Sequence, residues 1–129
     1  MTSLDDRSGD LATRADVDRL LRRFYERAMV DPLLAPVFET LRVVGLDEHL
    51  PVVGDFWEQI LFRTTRYQGD FVPVHEALHR QHGLTDERFR RWLELWCETV
   101  DESFAGTDAE RAKSKARAMA AALQRGRGR

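Results

Sequence analysis

Apolar side chains recur at steps of three and four along nearly the whole chain, and no stretch alternates apolar with polar long enough for a buried strand. Val17, Leu20, Leu21, Phe24 and Ala28 predict one face of a helix. Thr13 with Asp16 three residues on resembles a capping box at its start. Asp31-Pro32 predicts its end, because a residue before proline avoids the helical region. A short second helix is predicted over 33–41. The run VVGL around Val43 is the only strand-like segment and is too short to build a sheet.

A third helix is predicted from Asp47 as N-cap, with His49, Val53, Phe56 and Ile60 on one stripe and Leu50, Trp57 and Leu61 beside it. That stripe is apolar except for the histidine. Gly69 and Pro73 punctuate the segment YQGDFVP, and a short helix is predicted over 74–81, stopped by Gly83. Thr85 opens the next helix, whose inner face carries Phe89, Trp92, Leu93, Trp96, Val100 and Phe104. Ala105-Gly106 ends it, and Thr107 with Glu110 reads as a capping box for the last helix. Ala112, Ala116, Met119, Ala120 and Leu123 give that helix a narrow face of small residues. The expectation is an all-α protein of five or six helices, two of them short. A flexible N-terminus would cover 1–12, a single domain 13–124 and a Gly/Arg-rich tail 125–129.

Composition narrows the class. Of 129 residues, 43% are hydrophobic and 33% charged, a globular balance, and no run of about eighteen apolar residues would cross a membrane. The polar, acidic start MTSLDDRSGDLATRAD has no apolar core of a secretory signal, so a cytoplasmic protein is expected. A formal net charge of −2 argues against a nucleic-acid binder. Cys97, the single cysteine, excludes an internal disulfide and a cysteine-built zinc site, and reads as a small inert boundary residue.

All four histidines, His49, His75, His79 and His82, lie in the middle third of the chain. His75-Glu76-Ala77-Leu78-His79 matches H-E-x-x-H, where two histidines one turn apart hold zinc and the glutamate activates its water; His82 would be a third ligand. Pro73 and Gly83 confine the motif to barely three turns, a poor setting for that chemistry. A second pattern fits a haem pocket: a tyrosine (Tyr25) and a histidine (His49) on inner helix faces, a histidine on a short helix, and Trp92 on another. One neutral imidazole would hold iron and leave the opposite face open. There is no C-x-x-C-H, so the haem would be non-covalent. A zinc metallohydrolase and a cofactor-free helical interaction module are the alternatives.

Five ordered pieces carry a family resemblance. They are Phe24-Tyr25 followed by DPLLAPVF, then HLPVVGDFW, RYQGDFVPVHEAL, LTDERFRRWLELW and TVDESFAGTDAERAK. Together they span about residues 17 to 123, and they resemble the truncated haemoglobins, among them group III. The resemblance implies a truncated globin-like fold, two crossed helix pairs around haem b. Tyr25 matches the distal tyrosine of "FY", and Phe38, thirteen residues on, the phenylalanine at the haem edge. His49, eight residues before Trp57, matches a distal histidine acting as donor or gate. Trp92, of Phe89 to Trp92, matches the distal tryptophan. Phe24, Val53, Phe56, Trp57 and Phe89 would complete the packing. His75, six residues after Gly69, matches the proximal histidine.

The chain departs from the family pattern in three places. Asp70 and Phe71 follow Gly69 where proline is common, and Leu46 stands where tryptophan is common. The stretch from His75 to Trp92 is about three residues longer than in the shorter members, so counting back from Trp92 selects His79 as the alternative proximal ligand. The implied function is binding of oxygen and related diatomic ligands, with nitric oxide or reactive-species detoxification or redox chemistry as its uses. Haem-dependent dioxygenase or peroxidase-like turnover would need a separate electron donor, since no flavin or nicotinamide site is evident.

Overall fold

The structure, a computed structural model, describes residues 9–39, 45–62 and 85–127, with side chains to 124. Among these residues there are four helices and no strand: α1 (Arg14–Ala28), α2 (Leu46–Phe62), α3 (Asp86–Ser103) and α4 (Thr107–Arg127). The all-α expectation holds. The short helix predicted over 74–81 and the run around Val43 lie outside the described residues, Gly45 and Leu46 excepted.

α1 forms where the pattern places it. Thr13 Oγ1 accepts from the Asp16 backbone N–H while the Asp16 carboxylate accepts from Thr13, so the capping box is present. Its five periodic residues are all buried, each larger one worth about 1.5–3 kcal/mol of burial. The helix ends four residues before Pro32, at Ala28 with Met29 as C-cap, rather than at the proline itself.

The predicted helix over 33–41 is a run of turns through residue 38. Asp31 organises it as a cap does. Its carboxylate accepts from the Leu33 and Leu34 N–H groups, and its carbonyl from Leu34 and Ala35. Mixed three- and four-residue hydrogen bonds then close around Val37 and Phe38, too irregular for an α-helix.

α2 already begins at Leu46, so Asp47 lies in its first turn rather than at the cap and pairs with Arg22 of α1 at 2.8 Å. Arg14 ties α1 to α2 more firmly. Its guanidinium donates to Asp18, Asp55, Glu58 and the Pro51 carbonyl, at 2.7–3.1 Å. Gly54 makes room for it: a Cβ there would lie 2.6 Å from Arg14 Nη2.

α3 starts at the predicted cap, Thr85 Oγ1 accepting from Arg88 N. α4 does not use Thr107 as its cap. The Asp10 carboxylate reaches from the other end of the chain and accepts from the Asp108 and Ala109 N–H groups at 2.9 and 2.7 Å. Gly106 lies so close to Asp10 that a Cβ would meet the carboxylate at 2.6 Å, and its φ of +145° is one few other residues adopt. Beside Asp10, Leu11 is completely buried, so these residues pack against the body of the protein. Ala109, Ala112, Ala116 and Ala120 form the close-packed face of α4, and the Ala112 carbonyl accepts the Trp96 indole N–H. The core between the four helices is centred on Phe24, Trp57, Trp96, Val100 and Phe104.

Candidate functional site

Helical spacing on α1 sends Phe24 into the core and leaves Tyr25, one residue on, at its edge. Phe24 is buried against Trp92 and Trp96, whereas Tyr25 is partly buried and meets Phe38 and His49 edge-on, at centroid distances of 5.6 and 5.2 Å. The Tyr25 hydroxyl and His49 Nε2 are hydrogen-bonded at 3.2 Å. Three segments distant in sequence therefore bring a phenol, an imidazole and a phenyl ring into one corner.

Burial sets the protonation of this corner. It pushes the Tyr25 phenol well above its ordinary range, so the hydroxyl keeps its proton. It lowers the His49 imidazole below its usual value, so His49 is neutral at pH 7 and carries one ring N–H.

α2 extends the corner into a wall. Leu50, Gly54, Trp57, Glu58 and Leu61 face the core, while His49, Val53, Phe56 and Ile60 remain partly exposed on the neighbouring stripe. A partly exposed apolar stripe ending in a hydrogen-bonded imidazole and phenol suits a flat hydrophobic macrocycle with a polar ligand on one side. The described residues thus fit one side of a haem site.

Trp92 reaches the same region from α3. It is partly buried, stacks on Trp96 with planes 7° apart, and touches Phe24 edge-on. Its indole N–H has no acceptor among the described residues, unlike that of Trp96. Trp57 is buried (4% exposed), whereas Trp92 and Phe38 are only partly so. The difference follows from position: Trp57 stacks on Trp96 in the core, while Trp92 and Phe38 lie at its margin. Phe89 is buried on α3. Sequence periodicity missed Asp31, Arg88 and Arg91, which hold the Phe38 turn; the Asp-Pro pair was the signal that could have found the first, as a cap followed by a proline in the first turn.

His75, His79 and His82 lie outside the described residues. Among those described, no group of histidine, cysteine or acidic side chains could hold a metal. Cys97 is partly buried and burial raises its thiol, which makes it a poor nucleophile. A groove between α1 and α2, lined by Arg14, Asp18, Arg22, Asp47, Leu50 and Pro51, is apart from the aromatic corner. No described helix is long and apolar enough to cross a membrane.

The geometry finds a counterpart among solved structures. The crystal structure of group III truncated hemoglobin from Campylobacter jejuni superposes with a TM-score of 0.77, covering 88% of this chain and 90% of that one at 22% identity. The chain has the truncated-globin fold. No protein-family model and no curated protein matches it.

Proposed function

We propose that this protein is a haem protein of the group III truncated haemoglobin kind. It would hold haem b against the Val53–Phe56–Ile60 stripe and bind oxygen and related diatomic ligands beside Tyr25. The observation that carries this reading is the 3.2 Å hydrogen bond between the Tyr25 hydroxyl and His49 Nε2 at the end of a partly exposed apolar stripe, in a truncated-globin fold.

When bound, the haem would supply an iron able to take a diatomic ligand. His75, with His79 as the alternative, would be the residue that holds the iron. The chain's own side chains then decide which ligand stays. Tyr25 offers a hydroxyl hydrogen and Trp92 an indole N–H to a ligand that draws negative charge. Phe38, Val53 and Phe56 keep water away, which strengthens those bonds. His49 fixes the direction of the Tyr25 bond. With its proton on Nε2, His49 donates to the phenol oxygen and frees the Tyr25 hydrogen for the ligand. Two or three donors favour slow release of oxygen, which suits chemistry such as nitric oxide or reactive-species removal better than delivery. Turnover would draw electrons from a separate donor.

Titration of the purified protein with haem, followed by absorption spectroscopy, tests the reading. A saturable, intense haem band at one equivalent is expected. Its absence, or stoichiometric zinc in the purified protein, would overturn it in favour of the H-E-x-x-H hydrolase or a cofactor-free module.

A further inference from the structure

The turn that presents Phe38 to Tyr25 has no regular helix to hold it. It is held from α3. The buried Asp31 carboxylate accepts from the Leu33 and Leu34 N–H groups through Oδ2 and from Arg91 Nε through Oδ1 at 2.7 Å. One turn earlier on α3, Arg88 Nε donates to the Leu33 carbonyl at 3.0 Å. Both arginines precede Trp92 in sequence, Arg91 by one residue and Arg88 by four. The helix that supplies one pocket donor therefore also grips the turn that supports the other. Asp31 is satisfied by two backbone N–H groups and one guanidinium; its carboxylate is buried while Arg91 is 32% exposed, and such charge-assisted bonds are roughly twice as strong as neutral ones.

We infer that Asp31 and Arg91 are positioning residues for the ligand pocket: their ion pair fixes Phe38 against Tyr25 and so sets where the Tyr25 hydroxyl points relative to Trp92. The inference rests on the haem reading for its functional readout, but its structural link does not. Neither side chain touches the ligand. Asp31 acts through the 31–38 turn and the edge-on Tyr25–Phe38 contact at 5.6 Å, and Arg91 acts through Asp31. Loosening the pair lets Phe38 move, and Tyr25 loses the wall that holds its ring beside His49.

Asp31→Asn keeps an oxygen to cap the turn but removes the charge. Arg91→Gln removes the guanidinium and leaves Asp31 capped by backbone. Arg91→Lys restores a positive charge with one point donor. In the haem-loaded protein, Asp31→Asn and Arg91→Gln should each speed oxygen dissociation roughly threefold to tenfold, since a tenfold change is worth about 1.4 kcal/mol. Carbon monoxide dissociation should change much less, and Arg91→Lys should recover part of the oxygen effect. A general loosening of the fold would instead move both gases together. In the haem-free protein, NMR should show the Tyr25–Phe38 ring cross-peaks weakened in both variants and largely kept in Arg91→Lys. Unchanged oxygen dissociation, or equal acceleration of both gases, would overturn the inference. If the wild type takes up no haem, the haem reading fails by itself and the NMR comparison decides: unchanged ring contacts would then overturn the positioning role.

Discussion

The Tyr25 hydroxyl and His49 Nε2 sit 3.2 Å apart although one belongs to α1 and the other to α2. The direction of this bond is set by the histidine. A neutral imidazole with hydrogen on Nδ1 accepts from Tyr25, and one with hydrogen on Nε2 donates to it. Only the second leaves the phenol hydrogen for a ligand. Replacing His49 by leucine removes the competing acceptor and the supporting donor together. His49→Leu should therefore alter oxygen dissociation less than Tyr25→Phe does, while speeding ligand entry if the imidazole also acts as a gate. Flash photolysis of both variants checks this; a larger effect of His49→Leu than of Tyr25→Phe on oxygen dissociation would make His49 the principal donor.

The iron ligand is assigned by the family resemblance alone. His75→Ala should lose most haem, because a neutral imidazole would be the only strong protein bond to the metal. His79→Ala should keep it. Haem retention on a desalting column separates the two, and the reverse result makes His79 the ligand.

Asp10 links the start of the chain to α4. Burial pushes its carboxyl up, but the Asp108, Ala109 and Leu11 N–H groups, with Arg111 nearby, outweigh that and hold it below the usual carboxylate range. A depressed folded pKa stabilises the protein above the unfolded value of about 3.9, and this contribution is lost as pH falls through the folded one. Asp10→Ala should cost about 1 kcal/mol, the usual worth of a helix cap. It should also weaken the fall in stability at the acid end. Urea denaturation at pH 7 and pH 3 measures both. An equal loss at the two pH values would show that the charge of Asp10 is not what caps α4.

Gly54 sets two effects against each other. Alanine would gain up to about 1 kcal/mol of helix propensity, but its Cβ would displace the Arg14 guanidinium from Asp55 and Glu58. Glu58 is buried but Arg14 is a quarter exposed, and displacing the guanidinium loosens its four hydrogen bonds together, which outweighs the propensity gain. Gly54→Ala should thus destabilise by about 1–2 kcal/mol, and should become neutral or stabilising when Arg14 is already alanine. If Gly54→Ala stabilises the native chain, Arg14 simply moves aside.

Local signals were readable from the chain and long-range ones were not. The Thr13–Asp16 box, the Thr85 cap, the buried face of α1 and the buried Phe89, Trp96 and Val100 of α3 follow from neighbours three or four residues apart. The cap of α4 comes from Asp10, 98 residues from Asp108, and no spacing rule reaches that far. Leu11 is a lone apolar residue in a polar stretch, with no period to mark it as core. Leu95 and Thr99 on α3 are buried because α1 and α4 both pack on that helix; Thr99 satisfies its hydroxyl on the Leu95 carbonyl and accepts from Arg27. At the candidate site, the resemblance names Tyr25, His49 and Phe38 one by one, but their mutual contacts emerge only from the fold. The Asp31–Arg91 anchor behind Phe38 joins residues sixty apart, and charged residues at helical spacing look like a solvated face until the fold brings them together.

In the proposed function, Tyr25 and Trp92 hold a ligand that draws negative charge through hydrogen bonds in a water-poor pocket. Oxygen and carbon monoxide dissociation from the haem-loaded wild type, Tyr25→Phe and Trp92→Phe test it most directly. A hydrogen bond to a charged acceptor is worth about 1.5–3 kcal/mol, so each variant should release oxygen on the order of tenfold faster or more. Carbon monoxide, which draws far less charge, should be released at nearly the wild-type rate. Oxygen release unchanged in both variants would contradict the claim, even in a protein that binds haem.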